Sequence, residues 1–325
     1  MNERPRLLIV KTSSMGDIIH SFPMVTDLRR RLPEAEIDWL VEESFTALPM
    51  LHPAVQNVLS VALRRWRGRP WSPGTWREGA HFLRALRARR YDVVLDNQGL
   101  LKSALFSSVA RGPAWGADRR SAREAAAAWF YQRSVPMHWH QHAVARNREL
   151  AARLFDYPVP SDPPDYGILT GLPVDPRRAL CLHATSRPSK EWPETSWRKV
   201  LAALIGLGFT PSLTYARAGG MDERRARALA AHVPGVEVLP ARPLAEVARF
   251  VAGAALVVGV DTGLLHLATA YARPTIAIYV DTDPQLNGVC AATGGVAVNV
   301  GEGRGPPAPE TVLDAIRAMT GCATP

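Results

Sequence analysis

Cysteine is scarce: Cys181, Cys290 and Cys322 stand far apart in 325 residues, with no Cys-x-x-Cys pair. That excludes a disulfide scaffold and a cysteine-built zinc site, and it suits a reducing compartment. Long apolar runs are also missing. Each is broken by a charge well before the roughly 18 residues a membrane span needs. The opening MNERPRLLIVKTSS has an apolar core too short for a secretory signal. A cytoplasmic protein that is not integral to a membrane is expected. No Walker Gly-x-x-x-x-Gly-Lys-Ser/Thr loop occurs, and no Gly-x-Gly-x-x-Gly follows the first strand. Kinase, GTPase and nicotinamide-dependent dehydrogenase readings lose most of their support. The glycine-rich stretch from Gly301 to Gly305 runs into Pro306 and Pro307, which marks a plain loop.

Lysine is rarer still among the charges. Of 39 cations only four are lysines: Lys11, Lys102, Lys190 and Lys199. In so arginine-rich a chain, a lysine marks a place where a compact ammonium suits better than a planar fork. The cations are unevenly placed. Up to Phe155 there are 24 basic and 14 acidic residues, a net of +10; the remainder has 15 basic and 16 acidic, a net of −1. The N-terminal half should therefore face something anionic: nucleic acid, an anionic membrane surface or an acidic substrate.

Short, continuous apolar runs alternate with helical periodicity, as parallel strands buried on both faces require. In the first half, strands are predicted over Leu7–Lys11, Ile37–Glu42, Asp92–Gln98 and within Val55–Leu63. Helices are predicted from the Gly16 turn to Arg31, over Trp76–Arg90, from Leu100, over Ala122–Gln132 and over His142–Phe155. Asp156 to Asp165 holds four prolines and reads as the linker. The alternation then restarts at Ala179–Ala184 and continues to a last helix from Pro309. The fold class expected is α/β: two doubly wound, Rossmann-like domains, 1–160 (basic) and 161–325, with the last helix packing back on the first domain. Such domains bind ligands beyond the carboxyl ends of their strands.

Three strand ends carry candidate chemistry. Lys11-Thr-Ser-Ser-Met-Gly-Asp17 places a carboxylate after the first strand, beside a cation; the plainer reading of Asp17 is a helix-capping acid. Asp261-Thr-Gly-Leu-Leu-His266 opens a helix whose N–H groups and dipole suit a diphosphate, with His266 one turn in. His183-Ala-Thr185-Ser186 and Lys190 read as the second wall of that site. Asp281-Thr-Asp283 imitates a metal motif, yet Pro284 makes it a strand-end turn, and helix N-termini with Lys190 make a divalent ion unnecessary. His138-Trp-His140-Gln-His142 reads as a pre-helical loop rather than a zinc site. From Arg64 to Arg90 there are nine arginines and one acid, Glu78, with Trp66, Trp71 and Trp76 interleaved. Nucleic-acid binding, docking on anionic lipid and a solvated loop all fit that stretch.

Taken in order, Lys11-Thr-Ser-Ser-Met-Gly-Asp17, Arg64-Arg-Trp-Arg67, Asp96-Asn-Gln-Gly-Leu-Leu-Lys102, His142-Ala-Val, His183-Ala-Thr, Lys190-Glu-Trp-Pro and Asp261-Thr-Gly-Leu-Leu-His266 resemble the heptosyltransferases of lipopolysaccharide core synthesis, glycosyltransferase family 9. Arg64-Arg-Trp-Arg67 resembles the members acting first in that pathway. The resemblance implies a GT-B fold, with a cleft between the domains, and an inverting glycosyl transfer. The donor it implies is ADP-L-glycero-β-D-manno-heptose (ADP-heptose), with no cofactor. The implied acceptor is the inner Kdo of Kdo2-lipid A, met by a monomer at the cytoplasmic face of the inner membrane, and nucleic acid is not a partner. It assigns Asp17 as general base. It assigns Thr185, Ser186, Lys190, Asp222, Asp261, Thr262, Gly263 and His266 to the donor, Asp222 (or Glu223) on the ribose; the chain departs from the family in placing Arg242 where an apolar residue is expected near the adenine. Lys11, Ser14, Arg64, Arg65, Arg67, Arg123 and His142 fall to the acceptor. The rivals are a relative using a heptose or phosphorylated Kdo acceptor, a GT-B sugar-nucleotide epimerase and, from another class, a basic-aromatic nucleic-acid-binding protein.

Overall fold

A computed structural model describes residues 4–168 and 171–321. The chain divides into two units, Met1–Ile168 and Leu169–Pro325. In the first, strand β1 (Arg6–Val10) leads into a short helix α1 (Met15–Ile19) and then α2 (Phe22–Arg31). One continuous helix was the expectation; the break falls just before Pro23, whose missing N–H suits the first turn of a new helix. Next come β2 (Glu36–Glu42), β3 (Val55–Val61), α3 (Leu63–Gly68), α4 (Pro73–Leu86), β4 (Val93–Asp96), α5 (Leu101–Val109), β5 (Ala114–Ala117), β6 (Arg133–Val135) and α6 (Ala143–Leu154).

The second unit holds β7 (Asp175–Leu182), α7 (Glu194–Gly206), β8 (Thr210–Leu213), α8 (Met221–His232), β9 (Glu237–Val238) and α9 (Leu244–Ala252). These are followed by β10 (Ala254–Val260), α10 (Gly263–Ala270), β11 (Thr275–Ile278), α11 (Pro284–Asn287), β12 (Ala297–Val300) and α12 (Pro309–Thr320).

Each unit is built on one six-stranded parallel sheet, ordered β3-β2-β1-β4-β5-β6 in the first and β12-β11-β10-β7-β8-β9 in the second. Counted within its own unit, each is the same doubly wound order, and each reverses direction between its first and fourth strands. That reversal opens a crevice at the carboxyl ends, where ligands of such sheets bind. In the first unit it lies between β1 and β4, with Val10 opposite Asp96. In the second it lies between β7 and β10, with Leu182 opposite Gly259. A side chain at Gly259 would put its Cβ 2.6 Å from that of Leu182, so only glycine lets these two strands approach.

Several expectations need correction. Ala122–Gln132 is not an α-helix. Asp118 collects the N–H groups of Ser121 and Ala122, and Glu124 donates its N–H to Gly99 O, so the chain is drawn across the start of α5 and only Ala125–Phe130 coil, as a 3₁₀ helix. The domain boundary lies at Ile168/Leu169 rather than at 160/161. Arg148 grips Asp162, Arg30 grips Asp165, and Tyr166 is buried, so the proline-rich stretch is lashed to the first unit. The last helix, α12, packs on α7 and on β11 and β12, with Val312 and Ile316 in the core of the second unit. Trp192 and Trp197 meet edge to face in that core at 5.5 Å. Cys181 is buried there; Cys322 lies outside the described residues. Among the described residues, no helix is long and apolar enough to cross a membrane.

Candidate active site

In the first unit everything converges on the ends of β1 and β4. Lys11 extends β1 by one residue and is buried. Its Nζ donates to Asn97 O at 3.0 Å, and the next residue, Thr12, gives both its N–H and its hydroxyl to Gln98 Oε1 at 2.7 and 2.8 Å. The turn that offers these groups is itself held by Asp96, whose carboxylate accepts N–H from Gln98 and Gly99 and the Tyr131 hydroxyl at 2.8 Å. Gly116 leaves room for that tyrosine: a Cβ there would lie 2.4 Å from its ring.

Asp17 faces the resulting cavity, which Lys11, Arg123, Arg146, Asn147 and Gln98 also line. It caps a helix and lines a site at once. Ser14 N and Oγ both donate to Oδ2, at 3.0 and 2.8 Å, while Oδ1 makes no hydrogen bond among the described residues. Burial pushes the Asp17 carboxyl up, but the Lys11 ammonium, the Ser14 hydrogen bonds and Arg123 outweigh it and hold the group below its ordinary value. Burial in turn lowers the Lys11 ammonium. Asp17 and Asp96 oppose that; Arg123 and Arg146 reinforce it. The cavity thus offers an ionised carboxylate among cations, which can take a proton while an anionic substrate is held beside it.

The remaining acceptor candidates are dispersed. Ser14 is exposed at the start of α1. Arg64 lies over the Phe45 ring at 5.3 Å, and both Arg64 and Arg67 act electrostatically on Lys102 at the start of α5. Arg65 is committed elsewhere: its guanidinium bridges Glu43 and Glu78, two acids whose proximity no local spacing reveals. His142 caps α6, its Nδ1 accepting Val144 N–H at 3.2 Å, with its ring edge-on to His20. Arg146 was not foreseen. It stacks on Trp139 at 4.7 Å and donates to the carbonyls of Trp139 and Gln141. The signal for it was present, one helical turn after His142.

In the second unit the ends of β7 and β10 meet. Lys190, in a 3₁₀ turn, pairs with the Asp261 carboxylate, and the Thr185 hydroxyl donates to Asp261 O at 3.3 Å. Thr262, extended, is the N-cap of α10, so Gly263 opens that helix and leaves its first N–H groups at the strand end. His266 is buried one turn on, and Ser186 is exposed at the mouth. His183 ties in α8: its Nε2 bonds Asp222 O at 3.1 Å, bringing Asp222 to the same strand ends. Burial lowers the His183 imidazole, in part offset by that carbonyl, so the ring is neutral and Nε2–H is the donor. Glu223, by contrast, is used on Gly219 N and Arg227. Arg242 pairs with Glu246 and lies over Phe250. Asp283 caps α11 through Gln285 N–H.

Comparison with known proteins identifies the family and the fold. The model of glycosyltransferase family 9 (heptosyltransferase) matches residues 80–306. A lipopolysaccharide heptosyltransferase 1 of Escherichia coli O18:K1:H7 is 45% identical over 302 residues, covering 89% of this chain and 92% of its own. The solved structure of E. coli heptosyltransferase WaaC with ADP superposes with a TM-score of 0.89 at 41% identity, over 97% of this chain and 99% of that one. WaaC with ADP-2-deoxy-2-fluoro heptose gives 0.86 at 41%, over 96% and 99%. The two parallel sheets are those of the GT-B class, and the chain belongs to glycosyltransferase family 9, the heptosyltransferases.

Proposed function

We propose that this glycosyltransferase moves L-glycero-D-manno-heptose from ADP-heptose to the inner Kdo of Kdo2-lipid A. The transfer inverts the anomeric carbon and needs no metal ion. It takes place at the cytoplasmic face of the inner membrane, which the protein touches peripherally. The observation that carries the reading is Asp17, kept ionised by Lys11 and Ser14 in a cavity that also holds Arg123 and Arg146. Kdo is a carboxylated sugar, so its hydroxyl reaches a base only where cations receive its charge.

The donor side follows from the second unit and from relatives solved with ADP and a fluorinated ADP-heptose. The opening N–H groups of α10, at Thr262 and Gly263, suit a diphosphate, and Lys190, Thr185, Ser186 and His266 surround them. Asp261 steadies Lys190, and Asp222 reaches the ribose. In the transfer, Asp17 takes the proton of the acceptor hydroxyl as its oxygen bonds to the anomeric carbon. The bond from that carbon to the diphosphate breaks, and its electron pair leaves with ADP. Lys190 and the α10 N–H groups offset the charge that grows on the leaving diphosphate.

The test is transfer of labelled heptose from ADP-heptose to Kdo2-lipid A, with singly and doubly Kdo-substituted lipid A compared. A labelled lipid with inverted anomeric configuration is expected. Label appearing only on a heptose-bearing or phosphorylated Kdo acceptor would replace the acceptor. Free heptose or an epimerised donor with no coupled product would refute the transfer.

A further inference from the structure

The long arginine-rich segment has two faces, and only one is explained by the fold. Helix α4 turns Phe82 and Leu86 inward. Phe82 packs edge to face on Trp66 of α3 at 5.9 Å and on Phe106 of α5 at 5.4 Å. Glu78 clamps α3 to α4, taking Arg65 and the Trp66 indole N–H. At 100° per residue, Trp76, Ala80 and Leu83 fall on a different strip of the same helix. That strip is uncovered: Trp76 is 66% exposed and Leu83 42%, and Trp71, in the turn before the helix, is 86% exposed. The apolar arc of α4 therefore extends past the part the domain buries.

The frame of this strip is cationic. Arg69, Arg77 and Arg84 are exposed and make no ion pair among the described residues, and the one acid of the segment is spent on Arg65. A rigid helix with tryptophan and leucine outward and arginine at its margins matches the boundary of an anionic bilayer, where indoles settle at headgroup level and guanidinium groups meet phosphates. A nucleic acid would call for bases stacked along a groove, whereas this strip lies on the outer side of its helix. The strip's helix is clamped by Glu78 to α3, the helix that carries Arg64 and Arg67. Helix α3 starts directly after β3, at the carboxyl end of the sheet that also carries Lys11, and its Arg64 and Arg67 reach Lys102 electrostatically.

We propose that the outer face of α4 and the turn before it dock on an anionic lipid bilayer, seating Trp71, Trp76 and Leu83 at the interface with Arg69, Arg77 and Arg84 on the headgroups. The purpose of this docking rests on the reading that the acceptor is lipid-borne, because a lipid acceptor stays in the bilayer and the cavity must come to it.

Vesicle binding tests the surface without any acceptor. The full chain is sedimented with vesicles of phosphatidylethanolamine and phosphatidylglycerol, or of phosphatidylcholine alone, at low and high salt. Tryptophan quenching by brominated phosphatidylglycerol is read in parallel. Wild type should bind the anionic vesicles, release in high salt and show quenching. The double variant Trp71→Ser/Trp76→Ser should bind at least tenfold more weakly and lose most of the quenching; Arg77→Glu/Arg84→Glu should lose binding with its tryptophans intact. All four side chains are exposed, and each variant should keep the wild-type rate on a deacylated, water-soluble Kdo acceptor. Absence of wild-type binding, equal binding by the tryptophan variant, or preferential capture of an oligonucleotide over vesicles would overturn the proposal. The vesicle result decides the surface whatever the soluble-acceptor rate is, and that rate alone decides the acceptor.

Discussion

Replacing Asp17 with asparagine separates the proton from the fold. Both Ser14 hydrogen bonds fall on one carboxylate oxygen, at 3.0 and 2.8 Å, and an amide oxygen accepts both. The side chain keeps its volume, so the change in stability should stay within about 1 kcal/mol. The amide lacks basicity. General-base catalysis is worth about 10²–10⁴-fold, or roughly 3–5 kcal/mol of transition-state stabilisation, and kcat should fall by that much. Every donor candidate lies in the second unit, so KM for ADP-heptose should not move. A companion variant, Lys11→Met, fixes the sign of the electrostatics. Lys11 is the largest influence holding the Asp17 carboxyl down, against burial, which pushes it up. With the ammonium gone the carboxyl rises, so the acid limb of the kcat profile moves to higher pH, while kcat recovers on the alkaline side. Below its limb the rate falls tenfold per pH unit, each tenfold being about 1.4 kcal/mol. Initial rates of ADP release between pH 5 and 9 measure both. A kcat for Asp17→Asn within threefold of wild type, or a limb in Lys11→Met that coincides with the wild type, would refute the assignment of the base.

Gly116→Ala should displace the Tyr131 ring, 2.4 Å from the new methyl, and break its bond to Asp96. Overpacking of that kind costs about 1–3 kcal/mol, read as a lower Tm, and kcat should drop because the Asp96 turn carries the partners of Lys11 and Thr12; an unchanged kcat would show that turn to be catalytically idle. His52 is buried with Nε2 on Thr26 Oγ1 and Nδ1 accepting Ala54 N–H, and burial holds its imidazole at about 4 rather than 6.5. The unfolded chain therefore binds a proton that the folded chain refuses, and stability is full above pH 6.5 and declines toward pH 4 by about 3 kcal/mol. His52→Gln should flatten that part of the urea-unfolding profile, and an identical slope in the variant would count against it. Lys190→Met leaves the Asp261 carboxylate without its partner, in a pair that is 12–14% exposed. Loss of a charged hydrogen bond worth about 1.5–3 kcal/mol predicts a kcat/KM for ADP-heptose roughly 10–100-fold lower, and a ratio near one would remove Lys190 from the donor site.

What could be read from the residues was what neighbours in the chain determine. The buried strands β1, β4, β7 and β10 stand out because parallel strands covered on both faces read as unbroken apolar runs. The residues that follow them were therefore visible as strand ends: Lys11 and Asp17 in the first unit, His183 and Asp261 in the second. Short elements escaped notice. The four-residue β5 and β12 have too few positions for a period to show, and α3 was masked by its arginines. The partnerships that escaped were non-local. Glu43 and Glu78 come to Arg65 from β2's end and from α4, and Tyr131 crosses from the far side of β5 to reach Asp96. The cavity itself depends on β1 lying beside β4, 86 residues apart at the Lys11–Asn97 contact. The charge asymmetry fits the same division of labour. A donor diphosphate can be met by helix N–H groups and one lysine, so the second unit can be near neutral. The proposed acceptor, carboxylated and lipid-borne, would offer several separate charges over a wide area. No single helix terminus spans such an area, whereas separate guanidinium groups such as those of Arg123 and Arg146 at the cavity can meet separate charges.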